Sequence, residues 1–215
     1  MPVTPRQMGS VLERLARGYD IEQFLRVHGR DPFRILIGCI LSLRTKDEVS
    51  FPATERLFAR AATPQAMLRL RASSIEKLIY PAGFYRRKAV QILSISRQLV
   101  DRYDARVPAG FDALLALPGV GRKTANLVVT LAFGKPGICV DTHVHRVANR
   151  LGWVQTKNPD ATEFALRRVL PRKHWIRINE ILVRHGQKIC KPLSPVCSRC
   201  VVASACTRRG VVRSR

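Results

Sequence analysis

The sequence predicts an all-α protein. Apolar residues recur with the 3.6-residue period of buried helices, capping residues stand directly before Pro at several helix starts, and strand-like alternation is nearly absent. Asp31-Pro32 reads as an N-cap followed by Pro at the first helical position, and Phe33, Leu36, Ile37, Ile40 and Leu41 continue one face from it. Pro52 interrupts the run Asp47 to Arg60, so a helix is expected to begin near Ser50 with Pro52 in its first turn. Thr63-Pro64 marks another start, and Ser73-x-x-Glu76 has the form of a capping box. Tyr85 to Tyr103 is a long amphipathic stretch with Ala89, Ile92, Leu93 and Leu99 inward. Asn158-Pro159 opens a further helix, and His174 to Gly186 reads as one more, with the glycine as its stop. The last segment, Thr207 to Arg215, is short and basic and is expected to fray.

A chain of 215 residues, 46% of them hydrophobic, can build one or two compact units. No window approaches 18 uninterrupted apolar residues, so no membrane span is expected. Met1 to Leu15 carries charges and lacks the apolar run of a secretory signal, and Glu13 and Asp20 speak against an import leader. The net charge is +23, from 38 basic and 15 acidic residues. Such an excess suits a polyanion, because basic side chains displace counterions from phosphates, although a solvated basic surface has the same composition. Cys39 and Cys139 sit in apolar runs and read as core thiols.

Three motifs carry chemistry. The first is Leu117-Pro118-Gly119-Val120-Gly121-Arg122-Lys123-Thr124-Ala125, between a helical stretch (Asp112 to Leu115) and an apolar helix (Ala125 to Phe133). Two glycines around one apolar residue make a tight hairpin, with Val120 tucked inward and backbone N–H groups at a helix N-terminus suited to a phosphate. An ordinary connection between two helices would also use such a turn. The second is Val140-Asp141-Thr142-His143-Val144-His145-Arg146-Val147. Asp141 can be a helix N-cap, a carboxylate facing a developing positive charge, or both. His143 and His145 read as packing or phosphate contacts. The third is Cys190-x6-Cys197-x2-Cys200-x5-Cys206. Four thiolates in one loop with a single Cys-x-x-Cys favour an iron–sulfur cluster over zinc, which prefers two such claws, and over disulfides. Lys188, Lys191 and Arg199 surround the loop.

Together, in this order and spacing, the three motifs resemble the endonuclease III family of helix-hairpin-helix DNA glycosylases, from about Asp31 to Cys206. The resemblance implies two helical lobes with a DNA-binding cleft. Residues 31–140 would form a six-helix barrel carrying the hairpin, and 1–30 with 141–215 the lobe of one 4Fe-4S cluster on Cys190, Cys197, Cys200 and Cys206. Lys123 and Asp141 match the catalytic lysine and aspartate, and the lysine implies a bifunctional glycosylase and lyase. The DNA contacts so implied are Gly119, Val120, Gly121, Arg122 and Thr124 at the hairpin, with His143 and Lys191. Arg44, Thr45 and Lys46 match a segment that enters the gap left by a flipped base, where many members carry Gln in place of Arg44. Phe84, beside Tyr85, takes the place of an apolar wedge. The expected partner is double-stranded DNA bearing damaged pyrimidines or abasic sites, met by a monomer in the cytoplasm at the nucleoid and not at a membrane.

The residues suggest how such chemistry would run. A stacked base is out of reach and must rotate out of the duplex. The helix N-terminus and neighbouring Arg122 both disfavour a charged Lys123, favouring the amine that attacks the sugar. A non-catalytic DNA-binding module and a redox or iron-sensing protein are the rival readings. The first predicts binding without nicking, the second cluster loss as the functional event.

Overall fold

The computed structural model describes residues 3–20 and 23–215, and among them it forms helices and no strand. The helices are α1 Pro5–Ala16, α2 Gln23–His28, α3 Pro32–Ser42, α4 Asp47–Arg60, α5 Pro64–Leu68 and α6 Ala72–Ile79. They continue with α7 Tyr85–Arg102, α8 Phe111–Leu115, α9 Arg122–Leu131, α10 Thr142–Arg150, α11 Pro159–Val169 and α12 Ile178–Lys188. No helix among the described residues is long and apolar enough to cross a membrane.

Capping chemistry sets most helix starts. Asp31, Thr63 and Asn158 each accept from a backbone N–H of the helix they precede, and Pro follows each of them. Four sequence expectations need correction. Ser73-x-x-Glu76 is not a capping box: α6 starts at Ala72 behind Arg71, with no side-chain cap, which puts Ser73 already inside the helix. The fourth helix begins at Asp47, not near Ser50, and holds Pro52 in its interior. Pro52 faces solvent while Phe51, Ala53, Thr54, Leu57 and Phe58 are buried, so packing on α3 and α6 overrides the local break. Gly186 does not stop α12, which runs on to Lys188, and His174 belongs to a separate 3-10 turn, Arg172–His174. A Cβ on Gly186 would lie 2.8 Å from His143 Nδ1, so the glycine answers to close helix contact. The tail is tied down: Arg215 N–H donates to Pro195 O (2.9 Å), and Ser198 N–H donates to Arg215 O (3.0 Å).

The chain divides into two compact units, one of residues 1–23 with 136–215 and one of 24–135. The boundaries read from the sequence were 30/31 and 140/141. Phe24 and His28 of α2 stack on each other and meet Phe51 edge-on, which ties that helix to the 24–135 unit. In this unit eight of the eleven residues of α3 are buried, so α3 is apolar all round and runs through the core. Ile75, Ile79, Ile92, Leu99, Leu114 and Val128 close around it, each fully buried Ile or Leu contributing roughly 1.5–3 kcal/mol. Eight helical segments build the unit, of which α2, α5 and α8 have six residues or fewer. The other unit packs Leu12 and Leu15 of α1 with Val144, Val147, Leu166, Ile178 and Leu182 from α10, α11 and α12.

Candidate functional site

Within the 24–135 unit the hairpin is anchored from below. Leu114, Leu117 and Val120 are buried, and Val120 plugs the turn as its sequence predicts. Gly119 takes φ +68°, left-handed backbone that favours glycine, and a Cβ there would displace the Gln91 amide, whose Nε2 would lie 2.5 Å away. Gln91 itself donates to Pro118 O at 3.0 Å and fixes the hairpin to α7. Gly121 is different: its backbone is extended, and a Cβ would meet nothing within 4 Å. It caps α9 without a side-chain acceptor. Arg122 lies over the Phe111 ring at 4.8 Å. Thr124, counted among the DNA contacts from sequence, has its side chain buried.

Lys123 is the second residue of α9 and is half-buried. Burial pushes the Cys39 thiol up to about 12, and the positive charge of Lys123 opposes that rise. The Lys123 charge is therefore within electrostatic reach of Cys39 in α3.

Two further loops of the same unit meet. Arg44 and Phe84 both adopt left-handed backbone, at φ 52° and 58°, and the Arg44 guanidinium lies 5.6 Å from the Phe84 ring centre. Phe84 is 54% exposed, so its ring is open to an external partner. Tyr85 begins α7 and packs edge-on against Tyr80. The Thr45 hydroxyl accepts from Gly83 N–H (3.0 Å) and from Lys88 Nζ (2.9 Å). Lys46 is the N-cap residue of α4.

In the other unit Asp141 is the N-cap of α10, as read from sequence. Its Oδ1 accepts from His143 N–H (2.8 Å) and Val144 N–H (2.9 Å). Capping thus uses one carboxylate oxygen, which leaves room for a second role. His143 Nδ1 lies 3.1 Å from Arg146 Nη2, and His145 Nδ1 2.7 Å from the Thr162 hydroxyl. Both histidines are held inside the unit by these bonds. Arg146 donates to Cys190 O (3.1 Å) and Gly186 O (3.0 Å), an anchor that the sequence reading missed.

Cys190, Cys197, Cys200 and Cys206 line one small, partly enclosed cavity of about 30 Å³, together with Val147, Leu151 and Ile189. Among the described residues no three His, Cys, Asp or Glu side chains close on a position for a single metal ion. The sulfurs ring a cavity instead of converging on a point. Three nitrogen groups approach them: Arg150 Nη1 at 3.5 Å from Cys190, His185 Nε2 at 3.7 Å from Cys200, and Arg208 N–H at 3.4 Å from Cys206. The Arg150 guanidinium and the Arg208 N–H are donors, which suit sulfur that carries negative charge. Burial raises the Cys200 and Cys206 thiols, so both are protonated until something displaces the proton. Burial also lowers His185 to about 4, which keeps its imidazole neutral, and Tyr19 Oη lies 2.9 Å from its Nδ1. Arg150 further donates to Lys191 O (2.7 Å) and Pro192 O (2.6 Å), holding the loop that carries Lys191.

A family model described as HhH-GPD superfamily base excision DNA repair protein matches residues 37–172. Endonuclease III of Thermotoga maritima is 46% identical over 211 residues, spanning 95% of this chain and 99% of its own length. Endonuclease III homolog 1, chloroplastic, of Arabidopsis thaliana is 44% identical over 183 residues, 81% of this chain but 48% of that longer protein. A trapped endonuclease III–DNA covalent intermediate superposes with a TM-score of 0.86 at 36% identity, covering 95% of this chain and 96% of that one. A thermostable thymine-DNA glycosylase follows at 0.82 and 29% identity, covering 93% of each chain. Hairpin, aspartate-capped helix and cysteine loop thus occur in a chain that belongs to the endonuclease III family, within the HhH-GPD superfamily of base excision DNA repair proteins.

Proposed function

We propose that the protein is a bifunctional DNA glycosylase and abasic-site lyase of base excision repair, which removes oxidised pyrimidines from duplex DNA. The observation that carries this reading is Lys123, half-buried at the second position of the helix that follows the Gly119–Gly121 hairpin. The hairpin would hold a phosphate: Gly121 leaves the turn open, and the first-turn amides of α9 favour an anion. Phe84 would fill the stack after the damaged nucleotide has rotated out. The Lys123 amine then attacks C1′ as the C1′–N1 bond breaks and the base leaves with its bonding electrons, taking up a proton. Asp141 stabilises the positive charge that develops on the sugar. Loss of a proton from the amine and opening of the sugar ring give an imine between Lys123 and C1′. Removal of a 2′ proton expels the 3′ phosphate, which cuts the strand, and water releases the lysine. The relative solved as a trapped covalent intermediate with DNA is consistent with an enzyme-linked step.

The same reading assigns Cys190, Cys197, Cys200 and Cys206 to one 4Fe-4S cluster, one thiolate to each iron. Bound there, the cluster would cross-link the loop to itself through the four thiolates, while Cys190, Cys200 and Cys206 pack against the core around Val147 and Leu182. The test of the enzymatic reading is borohydride trapping on a duplex containing thymine glycol. The wild-type protein should become covalently joined to the DNA. Lys123→Gln should lose the adduct while retaining binding through the hairpin. Undiminished trapping by that variant would overturn the assignment of the nucleophile.

A further inference from the structure

A buried lysine holds together the two loops that carry Arg44 and Phe84. Lys88 lies one turn into α7 and is 5% exposed. Its Nζ donates to Leu41 O (2.7 Å), Leu43 O (2.7 Å) and the Thr45 hydroxyl (2.9 Å). An ammonium has three protons, so these three acceptors satisfy it completely. Two of them are carbonyls at the C-terminal end of α3, where a cation is favoured. The third, Thr45, also accepts from Gly83 N–H at 3.0 Å. A Cβ at Gly83 would lie 2.7 Å from Arg44 O, so the two loops touch backbone to backbone.

This arrangement is costly. A cation is taken out of water, and two non-glycine residues, Arg44 and Phe84, are held in left-handed backbone. An apolar residue at position 88 would avoid the first cost and would leave the loops free to relax from the second. In some proteins a buried ionic group that costs stability is retained for the geometry it specifies. Here that geometry is the stacking of the Arg44 guanidinium on the Phe84 ring.

We propose that Lys88 is the positioning residue for reading the base opposite the lesion: it locks the Arg44 loop to the Phe84 loop, so that both side chains enter the duplex as one rigid head. The proposal rests on the functional reading above, in which these loops meet DNA. Burial lowers Lys88 to about 8, so at neutral pH it still carries the three protons this role requires.

The test compares excision of thymine glycol placed opposite each of the four bases, and in the same oligonucleotide as a single strand. Proteins compared are wild type, Lys88→Met, Lys88→Arg, Thr45→Val, Thr45→Ser and Arg44→Ala, with the Arg44→Ala/Lys88→Met double variant. Lys88→Met and Thr45→Val should each compress the kcat/KM ratio between best and worst opposite base by about fivefold or more, the scale of one lost base contact. Their losses should be smaller on the single strand, which has no opposite base. Lys88→Arg and Thr45→Ser should restore part of the ratio, and the double variant should compress it no further than Arg44→Ala alone. A uniform loss on every substrate, or a wild-type ratio kept by both Lys88→Met and Thr45→Val, overturns the proposal. If circular dichroism shows Lys88→Met unfolded, Thr45→Val decides alone. A wild-type protein that excises nothing refutes the functional reading and this proposal with it, whereas an active one with unmoved ratios refutes only the role of Lys88.

Discussion

Asp141 shows how one residue can serve structure and chemistry. Asn also caps helices, so Asp141→Asn should keep the fold and the α10 N-terminus, visible as an unchanged melting curve. Loss of the carboxylate charge should nevertheless slow base release by roughly two to four orders of magnitude in single-turnover assays. Near-normal turnover would reduce Asp141 to a cap. Arg44 makes a second separable case. Arg offers donors only, whereas Gln offers donor and acceptor, and Arg pairs best with the acceptor edge of guanine. Arg44→Gln should therefore change the ratio of excision rates across opposite bases more than it changes the best rate. Identical ratios in both proteins would leave Arg44 as a phosphate contact. At this scale the sequence was legible for the motifs, because each one, Leu117 to Ala125, Val140 to Val147 and Cys190 to Cys206, is a contiguous run or a short fixed spacing. Lys88, Gln91, Arg150 and His185 were not legible, because their partners lie 15 to 166 residues away.

Among elements, α2 and α3 meet at a point with no spare room. A Cβ on Gly38 would overlap the His28 ring, which is itself stacked on Phe24. Gly38→Ala should cost about 1–3 kcal/mol in urea denaturation, the scale of overpacking a core. Burial, with the neighbouring Arg34 charge, lowers His28, against the pull of its bond to Phe24 O and of Glu55. The folded chain therefore binds fewer protons here than the unfolded one. This contribution to stability is complete above the unfolded value of about 6.5 and is lost as pH falls below it. Stability measured from pH 7.5 down to 5 should fall, and His28→Gln should flatten that fall; an unaltered slope would show that His28 does not titrate as its burial demands. Element starts were readable where Asp, Thr or Asn precedes Pro, since cap and proline act on neighbouring backbone. Of the misread positions, Pro52 and Gly186 are places where contact with another helix outweighs the local signal, whereas Ser73 is exposed within a helix that starts at Ala72.

For the whole molecule, charge and cluster each give a bulk observable. With a net charge of +23, DNA binding should be strongly salt-dependent. With about six phosphate contacts, affinity should fall about a thousandfold between 50 and 200 mM salt, by fluorescence anisotropy on an abasic duplex. A flat response would remove the proposed footprint. The purified protein should be brown, with broad violet absorbance and about four irons per chain. Cys197→Ser should bleach it and destabilise the unit of residues 1–23 and 136–215, in which the loop packs on its own core. Zinc without iron in metal analysis would end the cluster assignment.

The sequence by itself determined the all-α class, the hairpin, the aspartate-capped helix, the cysteine loop and the net charge of +23. All of these arise from residues close along the chain or from composition, where period, spacing and net charge act without knowledge of the fold. The tertiary structure decided that Pro52 stays within a helix, that Gly186 serves helix contact, and that Arg215 is tied to Pro195 and Ser198. It also decided that Lys88 binds Leu41, Leu43 and Thr45, while Arg146 and Arg150 hold the loop at Cys190. These depend on side chains whose partners come from distant segments, and the direction in which a long cation points is set by where unpaired carbonyls lie after the chain has packed.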